Sequence, residues 1–137
     1  MPIVLDASVA LTWCFPDEAD DYAGRVLDLL TREDAYVPSI WSLEVANVLL
    51  SGERRQRIVS SDVSNARAVL DGLPIVMQPI SLAEALGPVA EIMRSTGLTA
   101  YDAAYAHLAR RMGAPLATLD RRLRDAAESL GCHIFYA

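Results

Sequence analysis

The stretch Ile3-Val4-Leu5-Asp6 sets the expectation for the fold, because a short apolar run ends there abruptly at an acid. Three apolar residues without polar alternation are typical of a strand that is buried on both faces. Similar short runs recur along the chain, separated by segments whose apolar residues have helical spacing. This alternation predicts an α/β domain in which helices cover both faces of a mostly parallel five-stranded sheet, a three-layer α/β/α sandwich.

The ends of several helices are marked by capping residues. Ser39 is a suitable N-cap for an apolar helix, Ser81 and Glu84 have the form of a capping box, and Thr99 and Asp102 repeat that form. The predicted strands cover residues 3–5, 35–37, 74–77, 116–119 and 133–135, and the predicted helices cover residues 19–32, 40–50, 60–71, 82–95, 100–112 and 121–130.

Composition predicts a single domain over residues 1–137. Hydrophobic residues make up 53% of the chain, but no apolar run approaches the length of a membrane span, about 20 residues. The N-terminus reaches an acid at Asp6 without the basic segment of a signal peptide. We therefore expect a cytoplasmic protein that does not enter a membrane.

Charged residues exclude several classes of protein. The net charge is −6 and all 12 basic residues are arginines, so chemistry that needs a lysine, such as that of a P-loop or a receiver domain, is excluded. Cys14 and Cys132 are too far apart in sequence for a zinc or redox motif. RNA contact would need local arginine clusters or metal ions. The candidates beside the later acidic motifs are Arg110, Arg111, Arg121 and Arg122.

Four acids stand in apolar surroundings: Asp6, Glu44, Asp102 and Asp120. Three have a structural explanation, because Asp6 and Asp120 follow strands at helix starts and Asp102 has the third position of a capping box. Glu44 is harder to explain in this way. Its helix is apolar almost all round, so we expect that helix to be largely buried, and a buried carboxylate needs a cation or hydrogen-bond donors. Asn47 lies one turn further on the same face.

The four acids together suggest a metal site. Ligand sites in parallel sheets lie beyond the carboxyl ends of the strands, where Asp6 and Asp120 are expected. Carboxylates gathered there would repel one another unless a cation joined them. Oxygen ligands without a Cys or His cluster favour Mg²⁺ or Mn²⁺, which suits phosphodiester hydrolysis.

Four blocks of sequence resemble the PIN-domain family. The opening Ile3-Val4-Leu5-Asp6-Ala7-Ser8 resembles its D-x-S start, and residues 43–49 resemble its E-x-x-N helix. Residues 99–109 are similar to its Y-D-A-x-Y-x-x-L-A helix and residues 116–123 to its L-x-T-x-D-x-x-L block. The compact length resembles the VapC toxin branch. The order of the blocks along the chain is also that of the family.

The resemblance implies a PIN-like fold and a metal-dependent endoribonuclease, the toxin of a toxin–antitoxin pair. Its acidic metal-binding set would be Asp6, Glu44, Asp102 and Asp120. Ser8, Asn47 and Thr118 would orient the carboxylates, and Asp125 is a further acid that the motif does not fix. The resemblance also implies a homodimer and a small VapB-like antitoxin as partner.

Two other functions remain open. A phosphatase with an aspartyl nucleophile also has an Asp after its first strand, but it normally has a second Asp two residues later, where this chain has Ser8. A non-catalytic module would keep the acids only to bind a basic peptide. His107, His133, Trp13, Trp41, Tyr101 and Tyr105 are interpreted as structural residues, with Tyr101 of interest because it adjoins Asp102.

Overall fold

Four short parallel strands form the sheet at the centre of the computed structural model, which describes residues 1–136. The strands are adjacent in the order β3-β2-β1-β4. Leu5 of β1 pairs with Ala117 of β4, and Ile3 pairs with Ala35 of β2. The strands are β1 (Ile3–Leu5), β2 (Ala35–Pro38), β3 (Ile75–Gln78) and β4 (Leu116–Ala117).

The predicted fifth strand over residues 133–135 is wrong. This segment makes one isolated parallel bridge, between Ile134 and Leu116. Its neighbour β4 is only two residues long, so there is little ladder to extend. In addition, the Phe135 carbonyl accepts a hydrogen bond from the Tyr22 hydroxyl (2.5 Å) instead of a strand amide. The sheet therefore has four strands.

Helices surround the sheet and largely match the predicted ones. The helix over residues 7–12 was not predicted, and residues 82–96 form one continuous helical segment with a π-helical turn at residues 85–89 that contains Pro88. The Ser81–Glu84 capping box is present. The helices are α1 (Ala7–Thr12), α2 (Asp21–Leu29), α3 (Ile40–Arg54), α4 (Ser60–Asp71), α5 (Leu82–Glu84), α6 (Ala90–Thr96), α7 (Ala100–Met112) and α8 (Arg121–Ser129).

The expectation that α3 is largely buried is also wrong. Only one face is covered, by Trp41, Val45, Leu49 and Gly52, whereas Leu43 is 66% exposed. This helix packs against α1 and α4 at the edge of the fold. The central helix is α7, in which residues 103–109 are all buried and which contacts β1, β2 and β4.

The strand order determines where a site can form. The chain passes from β1 outward to β2 and β3, and then returns to the other side of β1 for β4. In parallel sheets, ligands bind beyond the carboxyl ends of the strands at such a reversal. Asp6 directly follows β1 and Thr118 directly follows β4, so both lie at this point. Across residues 1–136, no helix has the length and apolar character needed to cross a bilayer.

Candidate active site

Asp6 is the buried centre of the site. Its side chain lies at the end of β1 and is only 6% exposed. One carboxylate oxygen, Oδ2, accepts hydrogen bonds from the hydroxyls of Ser8 (2.6 Å) and Thr118 (2.8 Å). These two donors come from opposite ends of the chain, because α1 carries Ser8 and Thr118 follows β4. The carboxylate orientation therefore depends on the pairing of β1 with β4.

Two hydroxyls extend this network to the segment that carries Asp120. The Thr118 oxygen accepts from the Asp120 amide (3.0 Å), and the Ser8 oxygen accepts from the Leu119 amide (3.0 Å). Since each hydroxyl oxygen accepts from an amide while its proton is donated to Asp6, the direction of each proton is fixed. Asp6 and the start of α8 are thus held in one hydrogen-bonded unit.

Asp120 is the N-cap of α8. Its Oδ1 accepts from the amides of Arg122 (2.9 Å) and Leu123 (3.2 Å). The structural explanation considered for this acid is therefore correct, but these bonds engage one carboxylate oxygen only. Asp120 is half-buried, and its charge acts on both Asp6 and Asp102.

Glu44 is held by a tyrosine that sequence reasoning assigned to the core. The Tyr105 side chain is fully buried in α7, and its hydroxyl donates to Glu44 Oε1 at 2.5 Å. Burial, and then the bond to Glu44, raise the pKa of Tyr105 far above its usual value, so it remains a donor. Two signals were present in the sequence. A buried tyrosine needs a partner for its hydroxyl, and Tyr105 lies one turn beyond Asp102.

The Asp102 carboxylate is not used to cap its own helix. Thr99 Oγ1 accepts from the Asp102 amide (3.3 Å), which is one half of the expected capping box. Within residues 1–136, no reciprocal bond from the Thr99 amide to this carboxylate is present. The half-buried Asp102 side chain is therefore free to take part in a site.

Neighbouring members of the four carboxylates repel one another. Burial, and then the charges of Asp102 and Asp120, raise the pKa of Asp6, although Ser8 and Thr118 oppose the rise. Burial raises the pKa of Glu44, which Tyr105 lowers and the charges of Asp6 and Asp102 raise. Burial and Asp120 raise the pKa of Asp102, and Arg122 opposes them. A positive charge among these groups would relieve the repulsion.

The donor set fits a hard divalent cation. Every member is a carboxylate, and Mg²⁺ binds proteins through one or two carboxylates while it keeps several waters. Within residues 1–136, no three acidic, His or Cys side chains are close enough together to enclose an ion by themselves. Metal binding would therefore use water molecules, or a rotation of a carboxylate, to complete its coordination. Asp6 is the fixed member, since two hydroxyls orient it.

The remaining predicted residues lie in different surroundings. Asn47 is exposed, while the side-chain bond to Glu44 comes from Tyr105, so a supporting role for Asn47 stays a prediction. Asp125 lies 3.7 Å from Arg124, and its role as an outer acid also stays a prediction. His107 pairs with Glu84 at 2.9 Å, away from the four acids.

The four arginines considered for RNA contact are not equivalent. Arg111 Nη1 donates to Glu84 (2.6 Å) and to the carbonyl of Pro79, so it ties α7 to the start of α5. Arg110 is exposed at the end of α7. Arg121 and Arg122 follow Asp120 directly and are exposed at the start of α8. Only this second pair adjoins a carboxylate of the site in sequence, and RNA contact by any of the four stays a prediction.

Comparisons with known proteins agree with this geometry. A PIN-domain family model matches residues 3–129. Ribonuclease VapC3 of Pyrobaculum aerophilum is 31% identical over 130 residues, which are 95% of this chain and 98% of that protein.

Two solved structures are similar in fold. PAE2754 from Pyrobaculum aerophilum has a TM-score of 0.68 at 22% identity, with 95% of both chains covered. A chain in the structure of VapBC2 from Rickettsia felis, bound to a DNA fragment from their promoter, has a TM-score of 0.64 at 14% identity and covers 91% of this chain and 92% of that one. The family model spans β1 to α8 and includes all four carboxylates. The chain therefore belongs to the PIN-domain family.

Proposed function

We propose that the chain is a metal-dependent endoribonuclease and the toxin component of a type II toxin–antitoxin system. The observation that carries this proposal is the buried Asp6 carboxylate at the sheet reversal between β1 and β4, on which the charges of Asp102 and Asp120 act. Membership of the PIN-domain family and the similarity to a VapC ribonuclease over nearly the whole chain support it. An enzyme that cuts cellular RNA would act in the cytoplasm.

Mg²⁺ or Mn²⁺ would be held by Asp6 together with oxygens of Glu44, Asp102 and Asp120. Such an ion supplies positive charge that polarises an attacking water and stabilises the charge that develops at the phosphate. Asp6 is oriented by Ser8 and Thr118, so its free oxygen Oδ1 has a defined direction. Tyr105 engages Glu44 Oε1 and thereby leaves Oε2 directed away from that bond.

The direct test is cleavage of total RNA by purified protein. Discrete fragments should appear with Mn²⁺ or Mg²⁺ and disappear with chelator or with Asp6→Asn, because one Asn oxygen can still accept both hydroxyl bonds while the charge is lost. Asp28→Asn, on the exposed side of α2, is the matched control and should cleave normally. Cleavage that continues in chelator or in Asp6→Asn would show that the reaction does not use this site.

A failure to cleave any RNA needs a second experiment, because a toxin can be selective. Expression of the wild-type chain without a partner should arrest growth, and Asp6→Asn should not. Growth unaffected by the wild type, together with no cleavage, would favour a non-catalytic module that binds a basic peptide through its carboxylates. The toxin assignment would then be wrong.

We also place a homodimer and a VapB-like antitoxin within this proposal. Large apolar side chains remain on the surface, among them Leu43 (66% exposed), Leu82 (74%) and Leu86 (70%). Exposed apolar area of this kind is common at protein interfaces. Sedimentation should give twice the mass of one chain, and Leu43→Asp or Leu86→Asp should shift it toward the monomer. A purely monomeric wild type would contradict the dimer.

A further inference from the structure

A groove lies between the end of α6 and α8. It encloses about 690 Å³ and has Arg121, Arg122, Ser95, Thr96 and Ser129 among its lining residues. The three hydroxyls donate to backbone carbonyls of their own helices, so the donors left for a ligand are the Arg121 guanidinium and the N–H groups of Arg122 that do not bond to Gly97. Asp125 also lines the groove, but its carboxylate lies 3.7 Å from Arg124, which offsets its charge.

Two connections link the groove to the site. Asp120 caps α8 and directly precedes Arg121, so the two residues lie at the same helix end. Arg122 Nη2 donates to the Gly97 carbonyl (3.0 Å), in the turn between α6 and α7 that leads to Asp102. A strand bound in this groove would therefore lie beside the end of α8 that Asp120 caps.

Charge decides which ligand suits the groove. A polyanion meets repulsion from a chain of net charge −6 and from four carboxylates, so it needs positive charge close to the site. Two other arginines are paired with acids elsewhere, since Arg57 contacts Asp17 and Glu18 and Arg111 contacts Glu84, whereas Arg121 and Arg122 both line this groove. Adjacent guanidinium groups match the geometry of phosphate oxygens.

We propose that the α6–α8 groove binds the phosphodiester backbone of the RNA strand on one side of the bond to be cut, through Arg121 and Arg122. This inference rests on the proposed ribonuclease function and names the part of the surface that holds its substrate. Contacts of this type position the strand and carry no base specificity. The strand would thus be held independently of its sequence at this point.

The test measures binding of a short fluorescent single-stranded RNA to protein carrying Asp6→Asn, which prevents cleavage. One phosphate contact to a single strand contributes about 0.7 to the slope of log affinity against log salt, or about 5-fold in affinity at roughly 0.1 M salt. Arg121→Gln combined with Arg122→Gln should weaken binding about 25-fold and reduce the slope by about 1.4.

The matched control is Arg54→Gln combined with Arg55→Gln, which removes the same charge from another adjacent pair. Arg54 ends α3, ten residues or about 15 Å along the helix from Glu44. This control should change the affinity less than about 2-fold with no change of slope, since no phosphate contact is lost. Equal weakening by both pairs would mean a general charge effect and would overturn the proposal.

Two single variants separate binding from folding, because Arg122 also bonds to Gly97. Arg121→Gln alone should weaken binding about 5-fold, and Arg122→Lys should keep most of the salt dependence. Thermal melts of each variant verify the fold. No binding of RNA by the Asp6→Asn protein, or unchanged RNA binding after Arg121→Gln combined with Arg122→Gln, would contradict the proposal. Absence of cleavage in wild type with intact groove binding would instead contradict only the catalytic assignment.

Discussion

Removal of the Tyr105 hydroxyl should weaken both the fold and the site. In Tyr105→Phe the fully buried ring stays, but Glu44 loses the donor that lies 2.5 Å from its Oε1. A hydrogen bond to a charged group contributes about 1.5–3 kcal/mol. Glu44 is only half-buried, so water can replace part of the lost bond. We therefore expect the free energy of unfolding to fall by about 1.5 kcal/mol at neutral pH.

A double-mutant cycle assigns this loss to the pair. In Glu44→Gln the acceptor remains but its charge is gone, and a neutral hydrogen bond is roughly half as strong. Tyr105→Phe should therefore cost about 0.7 kcal/mol in that background, which gives a coupling energy of about 0.8 kcal/mol. Urea denaturation of the four proteins provides the values, with Tyr36→Phe, a half-buried tyrosine of β2, as control.

The pH dependence gives an independent check. Tyr105 lowers the pKa of Glu44 against the rise caused by burial, so the bond is stronger to the carboxylate than to the neutral acid. The cost of Tyr105→Phe should hence be larger at neutral pH than near pH 4. Activity should drop about 10-fold as Glu44 loses its fixed orientation. An equal cost of Tyr105→Phe with and without the Glu44 charge would refute this reasoning.

Three further predictions concern Asp6, Thr118 and Gly97. Because burial raises the pKa of Asp6 above its value in the unfolded chain, the unfolded chain loses this proton first. In metal-free protein the contribution of Asp6 to the free energy of unfolding should therefore fall as the pH rises above about 4. Asp6→Asn should be more stable than wild type at neutral pH without metal, and millimolar Mn²⁺ should not stabilise it further, as urea titrations would show. If the free energy of unfolding had the same pH dependence in both proteins, this prediction would be wrong. Thr118→Val removes a buried hydroxyl that bonds to Asp6 and Asp120, so it should cost about 2 kcal/mol, whereas Thr118→Ser should retain most of the stability in the same assay. Gly97 has φ of +77°, so Gly97→Ala should lower the free energy of unfolding by about 1–2 kcal/mol, while Gly72→Ala, at φ −81°, should change it little.

The parallel sheet and most helices could be predicted, because their patterns are local. Apolar runs such as Ile3-Val4-Leu5 and capping residues such as Ser81 lie within a few residues of the elements that they define. The prediction of a fifth strand was wrong because a strand needs a neighbour of sufficient length, and β4 has only two residues. The prediction that α3 is largely buried was wrong because an apolar sequence does not show which face of a helix its neighbours cover. Leu43 remains exposed.

The metal-binding role of the four acids stays a prediction, whereas the structure shows hydrogen-bond partners for Asp6 and Glu44. Asp6 and Thr118 follow neighbouring parallel strands, so their meeting follows from the sheet. Tyr105 was missed because helical spacing explains a buried aromatic residue equally well as part of the core. Its bond to Glu44 joins α7 to α3 across 61 positions of sequence, and no local pattern encodes that contact.

We propose that RNA cleavage requires a divalent ion bound by the carboxylates near the sheet reversal. A Mn²⁺ titration of the cleavage rate, for wild type and Asp102→Asn, tests it most directly. We expect the wild-type rate to rise from zero in chelator and to saturate with Mn²⁺. Asp102→Asn should need at least about 10-fold more Mn²⁺ and reach a lower rate. A wild-type rate that does not depend on Mn²⁺ or Mg²⁺, or an Asp102→Asn curve identical to the wild-type curve, would contradict it.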